Sequence, residues 1–370
     1  DLREHAVGYL MAEVFGLHDR SKVEVFAYYC GPESTDPLCR HFQDTADHWI
    51  SISQLDDTAA ARRIADDGIQ ILVDLNGYTR EARLKLVAMR PAPVIQPNAR
   101  NRNVAPQPPS RHDAGLPESA MVYCCFNGSH KLTRSTYDRW LMILGRVPDS
   151  VLWLLGSTET ANARLREYAA RRGIAQERIV FAAKLANPHH LARYGLADLF
   201  LDTTPYGAHT TASDALWMGV PVLTLSGRSF ASRVCGSLVR AAGTPEMVCL
   251  SPEEYVGRAI ELGNDRVALH AVRERLRAGR DTCTLFDMPQ LVHRLEELYR
   301  DMWRQFEGGA LPKPDLANLQ TYFEVGCSMA YDDMEIQTIP DYHGWWKGRL
   351  AERHRYRPVE PDRRLCASAD

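Results

Sequence analysis

From residue 121 to residue 250, short apolar runs rich in β-branched and aromatic residues alternate with stretches of helical period. No other property of the chain limits its possible folds so tightly. Residues 121–126 read as a strand, then 135–147 as a helix, 151–155 as a strand, 159–173 as a helix and 178–181 as a strand. The series continues with a short helix near 189–195, strand 197–202, helix 211–219, strand 221–225, helix 229–242, strand 246–250 and helices after 252. Strands separated by helices do not form hairpins. They align in parallel and take helices on both faces, which predicts a doubly wound α/β domain. Upstream, the runs 23–29 and 69–75 flank a helix over 56–67, again strand–helix–strand spacing.

Between the two series, residues 90–110 carry six prolines from 91 to 109 and no usable period, so they read as a linker. The expected organisation is an N-terminal Rossmann-like lobe at 1–96, a linker at 97–118, a C-terminal lobe at 119–306 and a tail at 307–370. The tail is rich in Tyr, Trp, Arg and Pro and reads as helical, folded back on the body. Two such lobes would leave a cleft between facing carboxyl edges.

Lys and Arg together number 44 against 47 acidic residues, so no basic excess points to nucleic acid as a partner. No apolar run approaches the roughly 18 residues that span a bilayer, and no membrane partner is expected. Nine cysteines without metal-ligand spacing read as reduced thiols, and with no signal peptide the expected location is cytoplasmic. The chain opens at Asp1 without a methionine, which reads as a piece of something longer.

The block 197–225 is the richest in chemistry. A strand ends at Asp202, a Pro-Gly loop follows, and a helix starts at Thr210 or Thr211. Thr211 and Asp214 have capping-box spacing, with Asp in place of Glu or Gln. A hydroxyl-rich helix start on the carboxyl side of a parallel strand suits an anion, because free N–H groups and the positive dipole end point at it. The plainer alternative is that Thr211 merely caps a buried helix; His209 directly before it favours a phosphate site. Lys131 follows strand 121–126 and an Asn-Gly-Ser turn, so it belongs to the same edge of the sheet, although alone it reads as a solvated lysine. His190 and Arg193 are three apart and share a helix face. His5 falls in the first turn of a helix that Asp1 caps, where the positive helix end keeps an imidazole neutral.

These residues resemble the catalytic region of the protein O-linked N-acetylglucosamine transferases, including the plant SPINDLY-type enzymes and their bacterial relatives. Four blocks carry the likeness: residues 1–10; Asp74-Leu-Asn-Gly-Tyr-Thr79 through Arg90-Pro-Ala-Pro93; Cys125-Phe-Asn-Gly-Ser-His-Lys131; and 197–237 with Gly227-Arg-Ser-Phe-Ala-Ser-Arg233. The resemblance covers most of 1–306. It implies a GT-B architecture of two Rossmann-like lobes and inverting transfer of N-acetylglucosamine from UDP-GlcNAc to protein Ser/Thr hydroxyls. No metal or other cofactor is implied, and no Asp-x-Asp triplet occurs in the chain.

By the same resemblance Lys131 is the essential lysine, Asp214 binds the ribose, His190 and Arg193 hold the uracil, and His209, Thr210 and Thr211 hold the diphosphate. His5 is a base or an acceptor-positioning group. The family's usual Gly-Tyr-Pro-Gly-Thr segment after Pro-Ala-Pro-x-Gln is absent, since Gln96 runs directly into Pro97. The tetratricopeptide repeats that precede the region in the family are missing too. Three alternatives remain open at this point: the same scaffold with GDP-fucose, a non-catalytic nucleotide-sugar module, and a sugar-nucleotide epimerase of GT-B-like fold.

Overall fold

A computed structural model of the chain describes residues 2–3, 5–75, 104–309, 319–329, 336 and 339–358. The Asp74–Pro93 likeness beyond residue 75, the Gln96–Pro97 junction and most of the proline-rich stretch lie outside the described residues. Two compact units are present, Asp1–Asn103 with Asp281–Pro312, and Val104–Arg280 with Lys313–Asp370.

In the first unit, α1 (Ala6–Met11) and α2 (Val14–Leu17) precede β1 (Phe26–Tyr29), α3 (Pro37–Thr45), β2 (His48–Ser51) and α4 (Asp57–Asp66). The two strands are parallel, with Phe26 opposite His48 and Tyr29 opposite Ser51. Each longer helix starts where its cap dictates. Asp36 accepts from Cys39 N–H ahead of Pro37, and Asp56 accepts from Ala59 N–H. Phe42 is fully buried and meets Phe15 edge-on with ring centroids 5.1 Å apart.

Two differences from the sequence reading stand out here. The partner of β1 is β2, whose two end residues are exposed, so no apolar run marked it. The run 69–75 has strand composition but pairs with no strand among the described residues, and a strand exists only through its neighbour's hydrogen bonds.

The second unit holds β3 (Met121–Cys125), α5 (Arg134–Arg146), β4 (Ser150–Leu155), α6 (Glu159–Arg171), β5 (Ile179–Ala182), α7 (Asn187–Arg193), β6 (Leu199–Leu201), α8 (Thr210–Trp217), β7 (Val222–Leu225), α9 (Phe230–Ala241), β8 (Val248–Cys249), α10 (Pro252–Asn264) and α11 (Arg266–Gly279). The six strands are all parallel in the order β5-β4-β3-β6-β7-β8. This is the doubly wound order, and its direction reverses between β3 and β6. Every residue of β3, β6 and β7 is buried, as a parallel sheet covered on both faces requires. The indole N–H of Trp140 on α5 donates to the Tyr255 hydroxyl on α10 at 3.0 Å, and that hydroxyl donates to Asp202 O at 3.1 Å.

The remaining helices are α12 (Met288–Glu307), α13 (Leu319–Cys327) and α14 (Tyr342–Tyr356). Met288 and Val292 of α12 lie in the same core cluster as Leu2, Met11 and Phe42, so this helix completes the first unit, although all of it but Glu307 falls within 119–306. In α13 and α14, Val325 and Leu350 pack with Trp345 and Trp346. Cys39, Cys124, Cys125, Cys235, Cys249 and Cys327 carry free thiols.

Candidate active site

The reversal of strand order puts the residues after β3 beside those after β6. The chain leaves β6 at Asp202, which is 2% exposed. Its Oδ1 accepts from Thr203 N–H at 2.8 Å and from Ala208 N–H at 2.6 Å, closing the loop 203–208. His209 then takes the N-cap position of α8 with φ −112° and ψ −91°, and no side chain caps the helix. The expected capping box at Thr211 and Asp214 is therefore corrected. Thr211 sits inside the helix, and its hydroxyl donates instead to Asn127 Oδ1. The N–H groups of Thr210, Thr211 and Ala212 have no hydrogen-bond partner among the described residues. An uncapped helix start of this kind presents donors and partial positive charge together.

Lys131 ends a 3₁₀ turn (Ser129–Lys131) after β3. Its ammonium donates to Gly207 O at 2.9 Å and stands 3.7 Å from the Tyr206 ring centroid. Burial lowers its pKa, and the Asp202 carboxylate pulls the other way. His209 has its ring centroid 5.3 Å from that of Tyr206, and its Nε2 lies 3.3 Å from Ala231 O. Burial lowers the His209 pKa, the bond to Ala231 O opposes it, and Lys131 adds to the lowering. Asn127 ties these parts together: its Nδ2 donates to Thr203 Oγ1 at 2.8 Å while Oδ1 takes Thr211. Sequence reasoning missed Asn127 and Asp202. A buried polar residue at each of the two central strand ends was the available signal.

His190 and Arg193 lie on α7 and are hydrogen-bonded to each other. The Arg193 guanidinium lies 4.7 Å from the Phe126 ring centroid, and its Nη1 donates to Ala183 O at 2.5 Å. Its Nε is buried without a protein partner. Burial and the adjacent guanidinium push the His190 pKa down to about 4. Tyr194 carries α7 to α8 through its hydroxyl, which donates to Thr211 O at 3.1 Å. Asp214 is 6% exposed, one turn into α8. His189 is exposed, as a solvent neighbour of His190 would be.

His5 belongs to the first unit. It is the N-cap of α1 rather than a first-turn residue, and its Nδ1 accepts from Val7 N–H at 3.3 Å. Burial lowers its pKa. Because Nδ1 receives that N–H, the neutral ring carries its own proton on Nε2. The first unit also contains a cavity of about 920 Å³ lined by Met11, Phe15, Tyr28 and Trp303 together with the His18–Glu296 pair. None of the eight expected site residues lines it.

The family model described as glycosyl transferase family 41 matches residues 1–97 and 103–295. A probable UDP-N-acetylglucosamine–peptide N-acetylglucosaminyltransferase SEC of Arabidopsis thaliana is 34% identical over 363 residues, covering 85% of this chain and 37% of its own. A UDP-N-acetylglucosamine–peptide N-acetylglucosaminyltransferase of Caenorhabditis elegans is 27% identical, covering 84% of this chain and 40% of its own. Among solved structures, a mutant form of the Thermobaculum terrenum O-GlcNAc transferase matches with a TM-score of 0.74 at 32% identity, over 84% of this chain and 67% of that one. The fold is that of a GT-B transferase. The chain spans roughly two-fifths of the length of these curated relatives.

Proposed function

The chain belongs to glycosyl transferase family 41, and on that footing we propose that it transfers N-acetylglucosamine from UDP-GlcNAc to Ser and Thr hydroxyls of proteins, with inversion and without a metal. In such a transfer the bond from the sugar's anomeric carbon to the diphosphate oxygen breaks. A bond to the acceptor oxygen forms on the opposite face, and the hydroxyl proton departs to a base. Negative charge grows on the leaving diphosphate, and fixed donors aimed at that charge lower the barrier.

The carrying observation is a convergence. The Lys131 ammonium, the His209 ring and the unpartnered N–H groups of Thr210 and Thr211 meet at the switch point of one parallel sheet. Together they supply the charge compensation that a divalent ion gives in other transferases. The reading gives His190, with Arg193 behind it, to the uracil, and Asp214 to the ribose. His5 is given to the acceptor side. Its Nδ1 is engaged by Val7 N–H, which favours acceptor positioning over general-base work.

Calorimetric titration with UDP and with GDP, followed by mass spectrometry of a Ser/Thr peptide library incubated with UDP-GlcNAc or GDP-fucose, tests this. The expected result is tighter binding of UDP and a single added N-acetylhexosamine on Ser or Thr. Fucose on the peptides, or UDP binding without any product, would replace it with one of the other readings.

A further inference from the structure

Asp202 is too deep to touch a ligand, yet every part of the proposed diphosphate site leans on it. We propose that Asp202 is a positioning residue: by gathering both ends of the 203–208 loop it fixes the cradle from which Lys131 meets the diphosphate of the donor. The inference builds on the reading of this edge given above.

The geometry is specific. One carboxylate oxygen, Oδ1, takes the amide that opens the loop (Thr203 N–H, 2.8 Å) and the amide that closes it (Ala208 N–H, 2.6 Å). The other, Oδ2, takes the Thr224 hydroxyl of β7 at 2.7 Å, and within the loop Gly207 N–H donates to Ala231 O of α9 at 3.1 Å. Every partner donates, and an ionised carboxylate accepts such bonds about twice as strongly as a neutral group does. The loop is thus pinned to a strand and a helix of the core.

Its outer side presents the two features that hold Lys131, the Gly207 carbonyl and the Tyr206 ring. The fit leaves little slack. A Cβ at Gly207 would stand 3.0 Å from Asp202 Oδ2 and 3.3 Å from Ala231 O. The residue after the pinned loop is His209, so the entry to α8 is set by the same carboxylate.

Charge alone makes the opposite prediction. A carboxylate beneath a diphosphate site repels the ligand, so Asp202→Asn should tighten UDP binding if Coulomb interaction were all that mattered. Positioning requires that it weaken. The decisive measurement is a double-mutant cycle on the full chain, with UDP affinity read by calorimetry for the parent, Asp202→Asn, Lys131→Met and the double variant.

The expected result is a loss of about tenfold for Asp202→Asn in the parent and less than about twofold in the Lys131→Met background, a coupling equivalent to about 1 kcal/mol. Equal losses in both backgrounds, no loss, or tighter binding would overturn the proposal. A ligand-free arm keeps it separate from the reading of the site. In Asp202→Ala the Thr203 and Ala208 amides should exchange with solvent at least about tenfold faster while those of Val122 and Leu152 keep their rates. Unchanged exchange at Thr203 and Ala208 sinks the proposal whether or not UDP binds. Should the Ala variant fail to fold, the same amides are read in Asp202→Asn. If the parent itself binds no UDP, the functional reading falls, and the exchange arm still decides the role of Asp202.

Discussion

At the residue scale, Lys131 shows how little a side chain's chemistry says without its address. In the sequence it is one of the 44 basic residues. In the fold its ammonium is half-buried against Gly207 O and Tyr206. Replacing it with Met keeps the alkyl stem and removes the charge. Turnover should fall by about 10²–10³-fold, the cost of losing one charge-stabilising donor, with the far-UV circular dichroism spectrum unchanged. His190 gives a pH prediction. Its folded pKa is about 4 against 6.5 for the free group, so the unfolded chain binds the extra proton between those values. Stability is therefore fully present above pH 6.5 and is lost as pH falls towards 4, by up to about 3 kcal/mol. Urea titrations at pH 7 and pH 4.5 should show this difference, and it should shrink in His190→Gln. The residue types of the candidate site could be picked out in the sequence because phosphate and base recognition use few of them. Asn127 and Asp202 could not, because their work is to hold other groups in place, and a spacing pattern does not record that.

At the element scale, the sequence is most readable where an apolar run is buried on both faces. β3, β4 and β7 appear nearly at the expected bounds because their buried residues interrupt helical period cleanly. The short β2 was invisible, and the capping box expected at the start of α8 does not form, because Thr211 is bonded to Asn127 rather than to its own helix. The end of α8 was clearer. Gly219 has φ +73°, and Val220 N–H donates to Ala215 O at 2.8 Å, a Schellman-type closure that favours glycine. Gly219→Ala should destabilise the chain by about 1 kcal/mol, from the left-handed backbone alone, read as a lower urea midpoint at unchanged m-value. A Cβ there would also stand 2.7 Å from Arg277 Cγ, a flexible stem able to move aside.

At the scale of the whole molecule, the chain divides into two compact units, the first with its own core around Phe42. Seven of the eight expected site residues fall in the second unit and only His5 in the first. Donor binding should therefore stabilise one unit alone. In a calorimetric scan, UDP at about 100 times its Kd should raise the unfolding free energy of the second unit by about 2.7 kcal/mol and leave the transition of the first unit in place. A single transition that moves as a whole would show that the two cores melt together. The membership of α12 could not be read from helical period, since its apolar face says that it packs but not on what.

That membership also orders events during synthesis. The cluster around Phe42 needs Met288 and Val292, and His18 bonds Glu296 at 3.1 Å across 278 residues. As the nascent polypeptide emerges, residues 5–75 wait, incompletely packed, until residue 296 has been translated. The later-made sheet of residues 121–249 has all its strands in hand sooner. Of the two units, the one begun first is thus the one finished last, and its apolar faces stay open for that interval.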